Sequence, residues 1–381
     1  MERAEKIKIL QQLIQINSVN GNERVVANYL QQLFKAHGIT SVELIPFNGA
    51  TDRCSIIAEI GERTTDKVLA LAGHLDTVAV GNRASWQFDP FSGQLSADSI
   101  YGRGAADMKS GLAAMVIAMI EIKESGVKLN GRLRFIGTAS EELGARGAVE
   151  LTQQGRIDDV TAMVVGEPTS GDIVFAHSGQ FNYTVTAYGK SAHSSSPDKG
   201  INAIYHLNDF INAERTAFTD VPKSKLLGAL VHSITVIKGG EQINSIPDQA
   251  YLQGNIRPIP EFDTQQVLER LQQIIAKLNQ RPQVKLELTV RDRFEAIVND
   301  PDSPFVNLVQ AARTAAFGTP AQKLIIHGAT DASAYVAAND CPMLLLGAGN
   351  WHDAHQINES VAVANYLNVL ATYENIIRQY L

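Results

Sequence analysis

Val68-Leu69-Ala70-Leu71-Ala72 runs directly into Gly73-His74-Leu75-Asp76-Thr77-Val78. A short, unbroken apolar run of this kind suits a strand buried on both faces. It ends on His-x-Asp. Two further runs have the same texture. Leu133-Arg134-Phe135-Ile136-Gly137 leads into Thr138-Ala139-Ser140-Glu141-Glu142-Leu143-Gly144, and Ala162-Met163-Val164-Val165-Gly166 leads into Glu167-Pro168-Thr169. Around them, residues 2–15 and 22–37 read as amphipathic helices, with Gly38 suited to the C-terminal cap of the second. A long helix with a small-residue face runs from Met108 to Glu124. Strand-like runs also occupy Val42–Ile45 and Ser55–Ala58. Alternating helix and apolar strand predicts an α/β fold with a sheet covered on both faces.

The texture changes near Asp172. Phe181–Ala187, Ser233–Ile237, Ala250–Ile256 and Val284–Val290 alternate apolar and polar residues, with helical stretches at Ala203–Phe218 and Thr264–Asn279. Strand-helix-strand-strand-helix-strand is the split βαβ pattern of a small α+β domain. From about Phe294 the first texture returns, through a helix at Ser303–Phe317, a buried strand at Met343–Gly347 and a closing helix at Val361–Leu381. The second domain is therefore read as inserted: residues 1–175 and 293–381 form one domain and 176–292 the other.

A length of 381 residues suits two domains. Hydrophobic residues make up 45% and charged residues 19%, which supplies ample core for a soluble protein. The net charge of −7 argues against nucleic-acid and anionic-membrane partners. No apolar run reaches the length of a membrane span, and Met1–Lys6 lacks a signal peptide's apolar core. The two cysteines, Cys54 and Cys341, read as buried free thiols in a reducing cytoplasm. Any metal must then be held by His, Asp and Glu.

Two adjacent carboxylates, Glu141 and Glu142, repel unless a cation is near. One bound to metal and one free to move protons explains the pair, where the bland alternative is a solvated acidic turn. His74 suits a ligand whose second ring nitrogen is fixed by a carboxylate such as Asp76. The bland alternative is a strand-end histidine. Asp107, in Gly102-Arg103-Gly104-Ala105-Ala106-Asp107-Met108-Lys109-Ser110-Gly111, stands at a helix start, either as an N-cap or as a carboxylate bridging two ions. Glu167 follows a continuous apolar strand, where sites form in open α/β sheets. In Trp351-His352-Asp353-Ala354-His355-Gln356-Ile357-Asn358-Glu359, either His355 or His352 suits a ligand. His74, Asp107, Glu142, Glu167 and His355 make five nitrogen and oxygen donors, all expected at strand ends of one sheet. Without thiolate such a set suits zinc, cobalt or manganese, and five donors suit two ions sharing Asp107.

Taken in order, Gly73–Val78, Gly102–Gly111, Glu141–Gly144 and Gly166–Thr169 resemble the M20 metallopeptidase family, and within it the acetylornithine deacetylase / succinyl-diaminopimelate desuccinylase branch. The resemblance covers essentially the whole chain. It implies a zinc-peptidase-like catalytic domain with an inserted ferredoxin-like lid and dimerisation domain. It also implies two divalent metals, zinc first, with cobalt or manganese as alternatives. His74 and Glu167 would hold one ion, Glu142 and His355 the other, and Asp107 would bridge them through a cis peptide to Met108. Asp76 would orient His74, and Glu141 would be the general base and acid. In the inserted domain, Gly189-Lys190-Ser191-Ala192-His193 matches a segment whose histidine reaches a substrate carbonyl across a dimer. Asn244, in Asn244-Ser245-Ile246-Pro247, and Arg257 match positions that bind the substrate carboxylate or support that region, and Thr330, in Gly328-Ala329-Thr330-Asp331, matches a substrate loop more loosely. On residues alone, His193 reads equally as a turn histidine and Arg257 as a surface salt-bridge former. The activity implied is removal of an acyl group from a small N-acyl amino acid by a cytoplasmic homodimer. A dipeptidase or carboxypeptidase, or a non-catalytic binding protein on the same fold, are the alternatives.

Overall fold

The computed structural model describes residues 1–50 and 52–381. The chain forms two compact units. The first comprises Met1–Phe175, Asn299–Leu324 and Thr330–Leu381, and the second Ala176–Val298 with Ile325–Ala329.

In the first unit a mixed sheet runs in the spatial order Val42–Pro46, Cys54–Gly61, Arg132–Thr138, Val68–His74, Ala162–Val165, Met343–Leu345, Ile173–His177. The central strands pair in parallel: Val68–His74 lies between Arg132–Thr138 and Ala162–Val165, and Met343–Leu345 continues on the far side of Ala162–Val165. The outer pairs are antiparallel. Every residue of Val68–His74 and Arg132–Thr138 is buried, as the unbroken apolar runs predict. Arg132 and Arg134 are tolerated there because Glu59 and Asp159 pair with them, Arg134 at 2.7 and 2.6 Å.

The helix Lys109–Glu124 is buried on almost every face, so it is apolar nearly all round rather than amphipathic. It packs against Val68–His74 and the closing helix Val363–Tyr380. Gly111 sets how closely it approaches the sheet: a Cβ there would lie 2.2 Å from the carbonyl oxygen of Gly166. That approach brings the helix start, and Asp107 just before it, to the end of the strand that delivers Glu167.

The second unit is a four-stranded antiparallel sheet in the order Val231–Gly239, Gln249–Arg257, Gln180–Tyr188, Lys285–Phe294. Along Gln180–Tyr188 alternate residues are buried, from Phe181 through Tyr183 and Val185 to Ala187. The helices Ala203–Glu214 and Thr264–Asn279 pack on the sheet. The second helix starts where Asp263 and Gln266 exchange side-chain and backbone hydrogen bonds at 2.8 and 2.9 Å. The order is βαββαβ, and the two units together give the mixed α/β architecture with an inserted α+β domain.

Three expectations need adjustment. The strand Lys285–Phe294 runs past 292, because Phe294 is still in register with Gln180. The helix expected to reach Phe218 stops at Glu214, whose buried carboxylate meets His232 Nδ1 at 2.6 Å while Phe218 packs on Phe262. Cys54 is buried, but Cys341 is only half-buried.

Candidate metal centre

His74 is the last residue of a fully buried strand. Its Nδ1 donates to the carbonyl oxygen of Asp76 at 2.8 Å. That bond fixes the tautomer and leaves the lone pair on Nε2. Nε2 faces Asp107 Oδ1 at 3.0 Å. The other oxygen, Asp107 Oδ2, lies 3.4 Å from His355 Nε2, which lies 3.1 Å from Glu142 Oε1. Two imidazole nitrogens therefore address the two oxygens of one carboxylate. An unprotonated ring nitrogen and a carboxylate oxygen are both acceptors and repel at this spacing unless a positive charge lies between them. Ligand atoms about 3.3 Å apart are what bonds of about 2.0–2.1 Å at a tetrahedral angle produce. The three separations fall on either side of that value.

Asp107 does not cap its helix. Met108 occupies the N-cap position without a side-chain cap bond, and the Asp107–Met108 peptide is cis. The ring of His74 is oriented differently from the expectation too. The Asp76 carboxylate stands 3.7 Å from Nδ1, while its oxygens accept from the amides of Glu141 and Glu142 at 3.1 and 3.3 Å. These amides draw the carboxylate aside, and the Asp76 main chain takes over the imidazole. Nor do all five donors sit at strand ends. His74, Glu142 and Glu167 follow strands, Asp107 precedes a helix, and His355 lies in the long loop after Met343–Leu345. His74, Asp107 and Glu142 offer ligand atoms within 4.8 Å of one another. His352 is exposed, and its amide is held by Asn350.

Glu167 is buried, and its Oε1 has no hydrogen-bond partner among the described residues. An orphaned buried carboxylate oxygen is costly, and a cation satisfies it. Burial, and then Asp107, push the Glu167 pKa well above the ordinary carboxylate range. Burial likewise raises Glu141; His74 opposes this, and Glu167, Asp331 and Glu142 add to it. Burial alone would lower His74, but Asp107 outweighs it and raises the imidazole. Every one of these shifts draws positive charge into the cluster, so the donor set fits divalent cations.

Asp331 and Thr330 lie beside this cluster, both buried. Asp331 accepts from Thr138 Oγ1, its Oδ1 has no hydrogen-bond partner among the described residues, and burial pushes its carboxyl to about 7. In the second unit, Ala192–His193 pairs with Ser245–Ile246, and His193 Nδ1 accepts from the Ser195 amide and meets its hydroxyl at 3.2 and 2.8 Å. Asn244 is carried beside it, its carbonyl accepting from the Ser194 amide at 3.0 Å. Arg257 is not the salt-bridge former its residue type suggests. It donates to Gln180 at 3.0 Å, has no carboxylate partner among the described residues, and burial lowers its pKa.

Residues outside the candidate set also serve the cluster. Glu359 and Arg103 form a buried pair behind Asp107 and His355. Lys109 is fully buried and donates to the carbonyls of Leu13 and Ile16. All three lie within the quoted motifs, which is the one signal by which the sequence could have found them.

Comparison with known proteins places the chain in a family. Residues 70–379 match the model of peptidase family M20/M25/M40. A probable succinyl-diaminopimelate desuccinylase of Staphylococcus aureus (strain N315) is 34% identical, the alignment covering 99% of this chain and 98% of the relative. Among solved structures, the M20 family metallo-carboxypeptidase Sso-CP2 of Sulfolobus solfataricus matches with a TM-score of 0.82 at 19% identity, covering 100% of this chain and 99% of its own. The Bacillus subtilis YXEP protein, described as a dinuclear metal binding peptidase, matches with a TM-score of 0.73 at 18% identity, over 99% and 98%.

Proposed function

The chain belongs to peptidase family M20/M25/M40 and is a metal-dependent hydrolase acting on amides, and from that premise we propose that it removes the acyl group from an N-acyl amino acid. N-succinyl-diaminopimelate is the first candidate substrate, after the relatives' names, and N-acetylornithine the next. The observation that carries the reading is Asp107, whose two oxygens face His74 and His355.

In this reading His74 and Glu167 would hold one divalent ion, Glu142 and His355 the other, and Asp107 would serve both. Zinc is the first choice of ion, with cobalt or manganese next. When bound, such a pair polarises the scissile carbonyl and lowers the pKa of water. Glu141 takes the proton of the attacking water and delivers it to the leaving nitrogen as the C–N bond breaks, giving a free acid and an amine. Asp76 fixes the His74 tautomer through its carbonyl. His193 is assigned to the substrate carbonyl oxygen. Asn244 and Arg257 are assigned to a substrate carboxylate, the unpaired guanidinium being suited to one. Thr330 is assigned to the substrate's other end.

The second unit is read as a lid through which two copies pair. Its edge strand Val231–Gly239 exposes Val231 and Ile237, and the neighbouring helix exposes Ile204 and Tyr205. The cytoplasm is the proposed compartment, on the two free cysteines. No helix among the described residues is long and apolar enough to cross a membrane.

A dipeptidase or carboxypeptidase remains the second reading, favoured by structural neighbours that include a tripeptidase. A non-catalytic binder has no use for Glu141. The deciding experiment is hydrolysis of N-succinyl-diaminopimelate, N-acetylornithine, other N-acyl amino acids and di- and tripeptides, after chelation and reloading with zinc, cobalt or manganese. Preferred turnover of an N-acyl amino acid supports the proposal, and preferred turnover of peptides replaces it with the second reading.

A further inference from the structure

We propose that the buried Arg103–Glu359 pair is a positioning device: it locks the Asp107 loop to the His355 loop and thereby sets the affinity of the metal position those two side chains share. The inference rests on the metal-centre reading above.

Glu359 Oε1 accepts from two consecutive backbone amides, Ala106 at 2.8 Å and Asp107 at 3.0 Å. Its Oε2 meets Arg103 Nη1 at 2.5 Å. The same guanidinium donates onward to the other loop, to the Gln356 carbonyl at 3.2 Å and the His355 carbonyl at 3.5 Å, and to the Ala79 carbonyl at 3.1 Å. The Glu359 carbonyl accepts from the Gly102 amide at 2.9 Å. Trp86 covers the guanidinium, with Arg103 Cζ 5.2 Å from the ring centre. On the opposite side the loop presses directly on the same peptide, since a Cβ on Gly349 would lie 2.0 Å from the Ala106 carbonyl oxygen. The peptide leading into Asp107 is thus clamped by the segment that carries His355.

The side chains are 2% and 1% exposed. A buried ion pair adds little stability over apolar residues of the same volume, so stability alone does not account for it. Its geometry does something an apolar pair cannot. Five directed side-chain hydrogen bonds join two loops that are distant in sequence, and the side chains they hold converge within 3.4 Å. His74 and Glu167 sit on strand ends and make no bond to the pair. Asp107 serves both positions and His355 only one, so loosening the clamp should weaken the position served by Glu142 and His355 more than the one served by His74 and Glu167.

The test is calorimetric titration of metal-stripped protein with zinc, repeated with cobalt to record the visible absorption of each filled position. Melting of the metal-free proteins serves as the folding control. In Glu359→Ala, one of two positions should weaken by about 10–100-fold, and the other should weaken less and change its cobalt spectrum less. Glu359→Gln keeps one oxygen for the two amides and should fall between Glu359→Ala and the wild type. Arg103→Lys retains the charge but lacks the fork that reaches both Glu359 and the loop carbonyls, and should weaken the same position. It decides the matter should Glu359→Ala not fold. Two unchanged positions in folded variants, or equal weakening of both, would overturn the inference. Wild-type protein that takes up no metal would instead remove the metal-centre reading itself.

Discussion

Replacing Glu141 by glutamine removes one charge and leaves the shape of the side chain unchanged. The Glu141 carboxyl makes no hydrogen bond to a protein group among the described residues; only its backbone is engaged, through the amide to Asp76 at 3.1 Å and the carbonyl to the amides of Gly144 and Ala145. The substitution therefore breaks no protein contact. It also relieves a burdened charge, since burial holds this carboxyl well above the ordinary range and Glu167, Asp331 and Glu142 add repulsion. The metal-free variant should melt no lower than the wild type. Turnover behaves differently. A positioned general base is worth about 10²–10⁴ in rate, or roughly 3–5 kcal/mol of barrier. The expected result is a kcat lowered by that factor on the best N-acyl substrate, with metal content unaltered. The assay is amine release alongside metal analysis of the same samples. Near-normal kcat with full metal content would refute the role of Glu141, and loss of metal would move it into the ligand set.

Two further predictions concern the scaffold. Gly111→Ala places a methyl 2.2 Å from the Gly166 carbonyl, a backbone atom that cannot swing aside. It should cost about 1–3 kcal/mol and reduce metal uptake as the helix start moves off Glu167; an unchanged melting temperature would contradict the close packing assigned to this contact. His177 is buried, and desolvation takes its pKa down to about 4 from 6.5. The unfolded chain therefore binds the proton first, so stability is level above pH 6.5 and falls as pH drops towards 4, by about 3 kcal/mol over the whole window. His177→Gln should flatten that slope relative to the wild type in melting curves across the range, and parallel curves would rule the assignment out.

The parts of the site legible in the sequence are those written locally. His74, Glu142 and Glu167 each follow an apolar run within a few residues, so strand and ligand are read together. The alternation of Phe181, Tyr183, Val185 and Ala187 likewise announces a half-covered sheet. What escaped depends on contacts made only in the folded chain. The displacement of the Asp76 carboxylate is decided by two amides 65 and 66 residues away. The Arg103–Glu359 bond spans 256 residues, and no periodicity links its ends. Glu142 and His355 meet across 213 residues, which motif order suggests and only the fold establishes. The lack of a carboxylate beside Arg257 among the described residues is invisible in sequence for the same reason.

The central claim is a pair of cations sharing one carboxylate. Diffraction recorded at the zinc absorption edge, on crystals of zinc-loaded protein, tests it most directly. The account predicts two anomalous peaks about 3.5–4 Å apart, one on each side of the Asp107 carboxylate, the first against His74 and the second against His355. Peaks remote from Asp107, or no peak at all in a protein that hydrolyses its substrate, would contradict it.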